Sequence, residues 1–316
     1  MSDYILNLLP VNDEERTIFE QTAPDAIHVY AGRRTATPEQ YQKATVILGW
    51  PRPSDLSQCQ NLRWMQSMWA GTDEYTSAGC LPQGVLLTNS AGANSQSVAE
   101  HMLASLLALC RKLPESRDHQ NEGKWVDVGR MKSITGARVL VVGAGHVGAC
   151  FAGMCKALGA ETVGLKRTVT GSVAGFDEVD TIDRLDELLP SADVVALCLP
   201  NSPSTTGLMN AQRLSLMKED AILLNAGRGS VLDHQALMDT LNGGRLWGAA
   251  LDVTDPEPLP DGHPLWSTPR LLITPHVAGG MRLEVTRVNC VRMAYENLAR
   301  YVAGEPLKNQ VRWEKP

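Results

Sequence analysis

Residues 138–148 read RVLVVGAGHVG. An apolar run leads into Gly143-Ala144-Gly145-His146-Val147-Gly148, and a helix-compatible stretch, 147–158, follows. A GxGxxG spacing alone says little. Between an apolar strand and a helix it describes a strand–turn–helix unit shaped for a dinucleotide. Gly143 permits the tight turn, Gly145 lets the backbone approach a pyrophosphate, and Gly148 lets helix and strand pack closely. The helix N-terminus turns N–H groups and a partial positive charge toward the phosphates. The competing reading is a glycine-rich turn with only a structural role; the strand and helix on either side favour binding. His146 and Val147 lie inside the turn, where contact with the cofactor runs through the backbone. His146 is on the phosphate side and takes no catalytic role.

Outward from this turn, short apolar runs alternate with helical patterns. After it come candidate strands at 161–165, 193–197, 221–225, 246–251 and 271–274. With 138–142 that makes six, the number in a complete dinucleotide-binding sheet. Before it, strands are expected at 4–9, 27–30, 45–48, 63–68 and 85–88. Such alternation predicts parallel sheets flanked by helices. The stretch 98–110, VAEHMLASLLALC, is helix-forming and apolar almost all round, so it must be buried on most sides, between domains or against a second subunit. A last helix is expected over 283–302, returning to the first domain.

The second strand of the nucleotide unit ends at Leu165, where the next side chains face the adenosine ribose. A carboxylate there accepts from the ribose hydroxyls and repels a 2′-phosphate. This chain has Lys166, Arg167 and Thr168 instead. Arg can fork onto phosphate and Lys adds a point charge. The pattern predicts NADP(H) over NAD(H), against the alternative of a solvated basic loop. Asp177 and Asp180 lie too far along to replace the carboxylate.

Three later loops carry chemistry. Arg228 follows a strand in LLNAGRGSVLD, Asp252 and Glu257 lie in ALDVTDPEPLP, and His276 lies in LLITPHVAGG. All three follow strands at the C-terminal edge of one parallel sheet, where ligands bind. A keto group beside a carboxylate needs a cation to hold the carboxylate and polarise the carbonyl. It also needs an acid for the oxygen as hydride arrives. His is the natural acid near neutral pH, and a Glu beside it favours the protonated form. Arg228 could otherwise be a surface ion pair, Glu257 a solvated loop residue, and His276 a structural cap. The other histidines of interest, His28, His101, His119, His234 and His263, read as structural or exposed.

With these loops in view, the chain resembles the D-isomer-specific 2-hydroxyacid dehydrogenase family over nearly its whole length. WAGTD at 69–73, VAEH at 98–101, VVGAGHVG, CLPNSPSTTGLMN at 198–210, NAGRGSVLD, ALDVTDPEPLP and TPHVAGG carry the likeness in order and spacing. The basic pair and GWP at 49–51 are most similar to the NADPH-dependent glyoxylate/hydroxypyruvate reductase branch. The resemblance implies an NAD(P)-dependent dehydrogenase in which Arg228 binds the substrate carboxylate and carbonyl. His276 is then the general acid, and Glu257 pairs with it. Backbone N–H groups at Ala70 and Gly71 hold the other side of the carboxylate. Leu199, Pro200 and Thr205 line the cofactor cleft, Asn225, Ala226, Gly227 and Asp252 lie near the nicotinamide, and Gly279 admits it closely. Trp50 and Trp69 are candidate pocket walls, with core packing the competing reading. The expected fold is α/β, two Rossmann-like or flavodoxin-like domains with parallel sheets and a cleft between them. Residues 1–100 plus 284–316 would form the substrate domain and 101–283 the dinucleotide-binding domain. A second reading is a dinucleotide-sensing, partner-binding module of the corepressor type. The formate dehydrogenase branch is disfavoured by Glu257, since that branch has an amide there.

Bulk properties agree. The chain has 316 residues, enough for two domains, with 43% hydrophobic and 20% charged residues. A net charge of −6 argues against nucleic acid as a partner. No apolar run spans a membrane, and the N-terminus, MSDYILNLLPVNDEE, lacks the pattern of a secretory signal. Seven cysteines without regular spacing read as reduced thiols, so a cytoplasmic setting and no metal site are expected. The apolar 98–110 helix suggests a homodimer.

Overall fold

The computed structural model describes residues 2–76, 79–169 and 171–312. The chain divides into two compact units, residues 1–94 with 281–316, and 95–280.

The first unit holds strands β1 (Tyr4–Asn7), β2 (Ile27–Tyr30), β3 (Val46–Gly49), β4 (Trp64–Ser67) and β5 (Leu86–Thr88) in the order β2-β1-β3-β4-β5. All pairs are parallel. This is the flavodoxin-like order, whose topological switch lies between β1 and β3. The helix Glu284–Val302 belongs to this unit, and its Val291, Ala294 and Leu298 are buried with Ile5, Phe19 and Trp64. Arg287 on that helix pairs with Glu15 at 2.8 Å.

The second unit holds β6 (Arg138–Val142), β7 (Glu161–Lys166), β8 (Glu178–Thr181), β9 (Val194–Leu197), β10 (Ile222–Asn225), β11 (Gly248–Leu251) and β12 (Leu271–Ile273). They form one parallel sheet in the order β12-β11-β10-β9-β6-β7-β8. Strands buried on both faces read as continuous apolar runs. Accordingly, side chains alternate between two cores: Leu140, Val195 and Leu223 on one face, Val141, Ala196 and Leu224 on the other.

The sheet has seven strands where the sequence suggests six. The added strand is β8, whose sequence EVDT is polar and whose residues are exposed or half-buried because it forms the sheet edge. An edge strand has no second neighbour to demand an apolar run, so periodicity does not reveal it. With β8 counted, β8-β7-β6-β9-β10-β11 is the Rossmann order and β12 extends it.

The apolar helix is Ser95–Cys110. Val98, Ala99, Met102, Leu106 and Leu109 pack with Phe151, Ala152 and Cys155 of the helix His146–Ala157. Most of its apolar surface is therefore consumed inside its own unit.

Candidate active site

In the second unit the switch point falls between β6 and β9, where ligands bind in such sheets. The glycine turn follows β6 at this place. Gly143 and Ala144 donate to the Leu165 carbonyl at 2.9 and 2.8 Å, which ties the turn to the end of β7. Gly143 has φ +117, and a Cβ on it would lie 2.7 Å from the Cys198 carbonyl oxygen. A Cβ on Gly148 would lie 2.3 Å from the Gly143 carbonyl oxygen, so helix and turn meet without room for a side chain. A Cβ on Gly145 would meet nothing within 4 Å. The turn is thus closed toward the protein at Gly143 and Gly148 and open at Gly145, the face a pyrophosphate needs. The residues fit a dinucleotide. His146 opens the helix, with Val147 second in it.

Lys166 ends β7, and Arg167 and Thr168 follow it, exposed. Among the described residues neither cation forms an ion pair. Two acids that follow β7 in sequence are already engaged. Asp177 sits at the opposite edge of the sheet, where it accepts from the Thr162 N–H at 2.9 Å. Lys156 and the Thr162 donors hold its carboxyl down at about 2. Asp180 pairs with Arg184, which lowers its pKa likewise.

The loop after β9 places Leu199 and Pro200, and the Thr205 hydroxyl closes it on the Pro200 carbonyl at 2.8 Å. The loop after β10 carries Arg228. A Cβ on Gly227 would strike the Leu199 carbonyl oxygen at 2.5 Å, and one on Gly229 would strike the Thr254 carbonyl at 2.1 Å. The two glycines let this loop wedge between its neighbours, with half-buried Arg228 between them. Buried Asn225 braces it, donating to the Arg228 carbonyl at 3.0 Å and accepting from the Gly227 N–H at 3.1 Å. Ala226 is half-buried in the same loop. The Arg228 guanidinium donates to the Gly227 carbonyl at 2.9 Å.

His276 follows β12 in the left-handed region, φ +50. Its N–H donates to the Asp252 carbonyl at 2.9 Å and to that of Thr274 at 3.0 Å. Its ring Nδ1 lies 2.5 Å from Glu257 Oε1. An ionised carboxylate only accepts, so Nδ1 carries the proton and Nε2 is the nitrogen left for a ligand. Asp252 is buried, and its carboxylate accepts from the Thr274 hydroxyl and the Val277 and Ala278 N–H groups at 2.7, 3.0 and 3.1 Å. Gly279 closes this turn. Arg228, Glu257 and His276 therefore stand on loops at one edge of one sheet. His101, which the sequence reads as structural or exposed, is half-buried, and its Nε2 lies 3.0 Å from Thr274 Oγ1. Its place in a strongly apolar helix was the available signal.

On the first unit, Trp50 follows β3 and Trp69 follows β4, both at the C-terminal edge. Their rings meet edge to face, 5.5 Å apart. Both also pack against core residues, and the Arg33 guanidinium lies 3.5 Å from the Trp50 ring centroid. Ala70 and Gly71 are half-buried, with the Ala70 carbonyl accepting from Asn89 at 2.7 Å. Arg33 had no sequence signal.

Residues 103–278 match the model of the D-isomer specific 2-hydroxyacid dehydrogenase, NAD binding domain. The chain belongs to the D-isomer specific 2-hydroxyacid dehydrogenase family. Glyoxylate reductase of Aeropyrum pernix is 31% identical over 82% of this chain and 79% of its own length. D-3-phosphoglycerate dehydrogenase of Archaeoglobus fulgidus is 31% identical over 80% of this chain. The chain spans about half the length of such dehydrogenases, 47% of that one. A D-isomer specific 2-hydroxyacid dehydrogenase from Xanthobacter autotrophicus Py2, crystallised with NADPH and MES, is 30% identical. It superposes with a TM-score of 0.81 over 99% of this chain and 98% of its own. By family this chain is an NAD(P)-dependent oxidoreductase, and the family acts on small hydroxy and oxo acids.

Proposed function

We propose that this protein reduces a small 2-oxoacid, of the glyoxylate or hydroxypyruvate kind, to the D-2-hydroxyacid with NADPH. The observation that carries this reading is the His276–Glu257 pair at 2.5 Å, on the same sheet edge as Arg228. NADPH, when bound, supplies the hydride. Arg228 grips the substrate carboxylate and polarises the adjacent carbonyl. His276 Nε2 delivers a proton to the carbonyl oxygen as the carbon is reduced, and in oxidation takes it back. Glu257 holds Nδ1–H, which fixes the ring orientation and offsets the charge of the imidazolium. Lys166, Arg167 and Thr168 hold the 2′-phosphate, and Gly143, Gly145 and Gly148 admit the pyrophosphate. On the first unit, Trp50, Trp69, Ala70 and Gly71 are assigned to the substrate. The glyoxylate reductase relative and the NADPH-bound structural relative support the choices of substrate and cofactor. The active species is a cytoplasmic homodimer.

Initial rates with NADPH and with NADH, on glyoxylate, hydroxypyruvate, pyruvate and phenylpyruvate, test the reading. Turnover favouring NADPH with the smaller acids is expected. Turnover favouring NADH would leave the basic pair as surface charge. Cofactor binding without turnover would favour the corepressor-type module.

A further inference from the structure

We infer that His101 is a positioning residue for the turn that carries His276, acting through Thr274 and Asp252. The inference rests on the role of His276 proposed above. That turn has an unusual burden. His276 adopts a left-handed backbone that residues with a Cβ rarely take, so its neighbours must hold it there. One residue does most of this work. The Asp252 carbonyl accepts the His276 N–H, and its carboxylate accepts from Thr274 on one side of His276 and from Val277 and Ala278 on the other.

The direction of the hydrogen bonds follows from what each group can do. A carboxylate only accepts, so the single hydroxyl proton of Thr274 goes to Asp252 Oδ1, at 2.7 Å. The Thr274 oxygen is then an acceptor, and the partner at 3.0 Å is His101 Nε2, which must carry a proton. The chain runs His101 Nε2–H to Thr274 Oγ1–H to Asp252 Oδ1. His101 Nε2 is 3.7 Å from Asp252 Oδ1, too far for a direct hydrogen bond. Its grip on Asp252 therefore passes through the threonine hydroxyl.

The elements joined are far apart in sequence. His101 lies in the helix Ser95–Cys110, which opens the second unit; the turn lies at its end, before Gly280. That helix is anchored by Met102, Leu106 and Leu109 in the core. It offers a rigid reference against which the hydroxyl of Thr274, and so the carboxylate of Asp252, is set.

The test compares His101→Leu, Thr274→Val, Thr274→Ser and the double variant His101→Leu/Thr274→Val with wild type. Thr274→Val keeps the shape and removes the hydroxyl; Thr274→Ser keeps the hydroxyl. One lost half-buried hydrogen bond corresponds to a fall in kcat of up to about tenfold for His101→Leu and for Thr274→Val. The dissociation constant for NADPH should stay within about twofold of wild type, and Thr274→Ser should retain the rate. The double variant should be no slower than Thr274→Val, since both act through one chain of bonds. Hydrogen–deuterium exchange over residues 274–280, measured without substrate, should be faster in both single variants. Additive losses, or exchange at the wild-type rate in both single variants, would overturn the assignment. Wild type that turns over none of the 2-oxoacids would instead overturn the proposed function, and the exchange measurement would still decide the network.

Discussion

A Cβ is a ruler for what lies beside a glycine, and the three glycines of the turn read differently. Gly148→Ala pushes a methyl to 2.3 Å from a backbone carbonyl that cannot give way. Overpacking of this kind costs about 1–3 kcal/mol, so a lower melting temperature is expected before any cofactor is added. Gly145→Ala meets no protein atom within 4 Å. Its stability should change by no more than about 1 kcal/mol, the scale of an N-cap substitution, while affinity for NADPH falls. Thermal melts paired with NADPH titrations separate the two; equal destabilisation by both would refute the open-face reading. The ring pair obeys a similar division. His276→Ala should lose turnover by at least about a hundredfold, the worth of a general acid, while NADPH still binds. Preserved turnover with lost cofactor affinity would sink that role. Neutralising Lys166 and Arg167 together should raise the Michaelis constant for NADPH and spare that for NADH. These residues were legible as positions in sequence motifs, a glycine spacing, a basic pair after a strand and a loop histidine. The stacking of Arg33 on Trp50 and the hydrogen bond between His101 and Thr274 were not, because folding brings those partners together from distant parts of the chain.

At the level of elements, legibility followed burial. Strands such as VVAL and ILLN announce themselves because both faces are covered. EVDT does not, since an edge strand can be stabilised by one neighbour and its ladder alone. The turn bearing His276 and the residue Asp252 were both located by motif, but that the Asp252 carboxylate holds this turn is visible only in three dimensions. A helix start supplies a pH prediction. His234 is the first residue of the helix His234–Asn242, and its Nε2 is buried with no partner among the described residues. Burial lowers its pKa, and nearby His263 adds to this, against the opposing pull of Asp255 and Asp233. The unfolded chain therefore takes up a proton near the ordinary value, about 6.5, before the folded one does. Stability from the neutral ring is present above that pH and is lost as pH falls below it. His234→Gln should show a smaller drop in melting temperature between pH 7.5 and pH 5.5 than wild type; parallel profiles would exclude this ring as the cause.

At the scale of the molecule, the homodimer proposal needs a surface, and the apolar helix supplies less than its sequence suggests. Its inward residues are spent on the helix His146–Ala157. What remains outward is Leu107, 38% exposed, with Ala104 exposed and Leu103 half-buried beside it at helical spacing. The segment after the next helix adds to it. Residues 124–133 form neither helix nor strand, yet Lys112 holds the Val128 carbonyl at 2.7 Å and the Cys110 carbonyl accepts from the Lys132 N–H at 2.9 Å. Trp125 on that segment is fully exposed, with Val126 and Met131 about half exposed near it in sequence. A fixed backbone presenting an uncovered indole is what an interface requires, because aromatic anchors supply most of the binding energy. Light scattering on the eluted protein should give twice the 34.3 kDa chain mass. Trp125→Ala should weaken the dimer by about 2 kcal/mol or more, roughly a thirtyfold rise in its dissociation constant. Adding Leu107→Glu should leave monomer at micromolar concentration, with the thermal melt of each unit retained. A wild-type monomer under those conditions would remove the dimer from the proposal. A dimer untouched by Trp125→Ala would move the interface elsewhere.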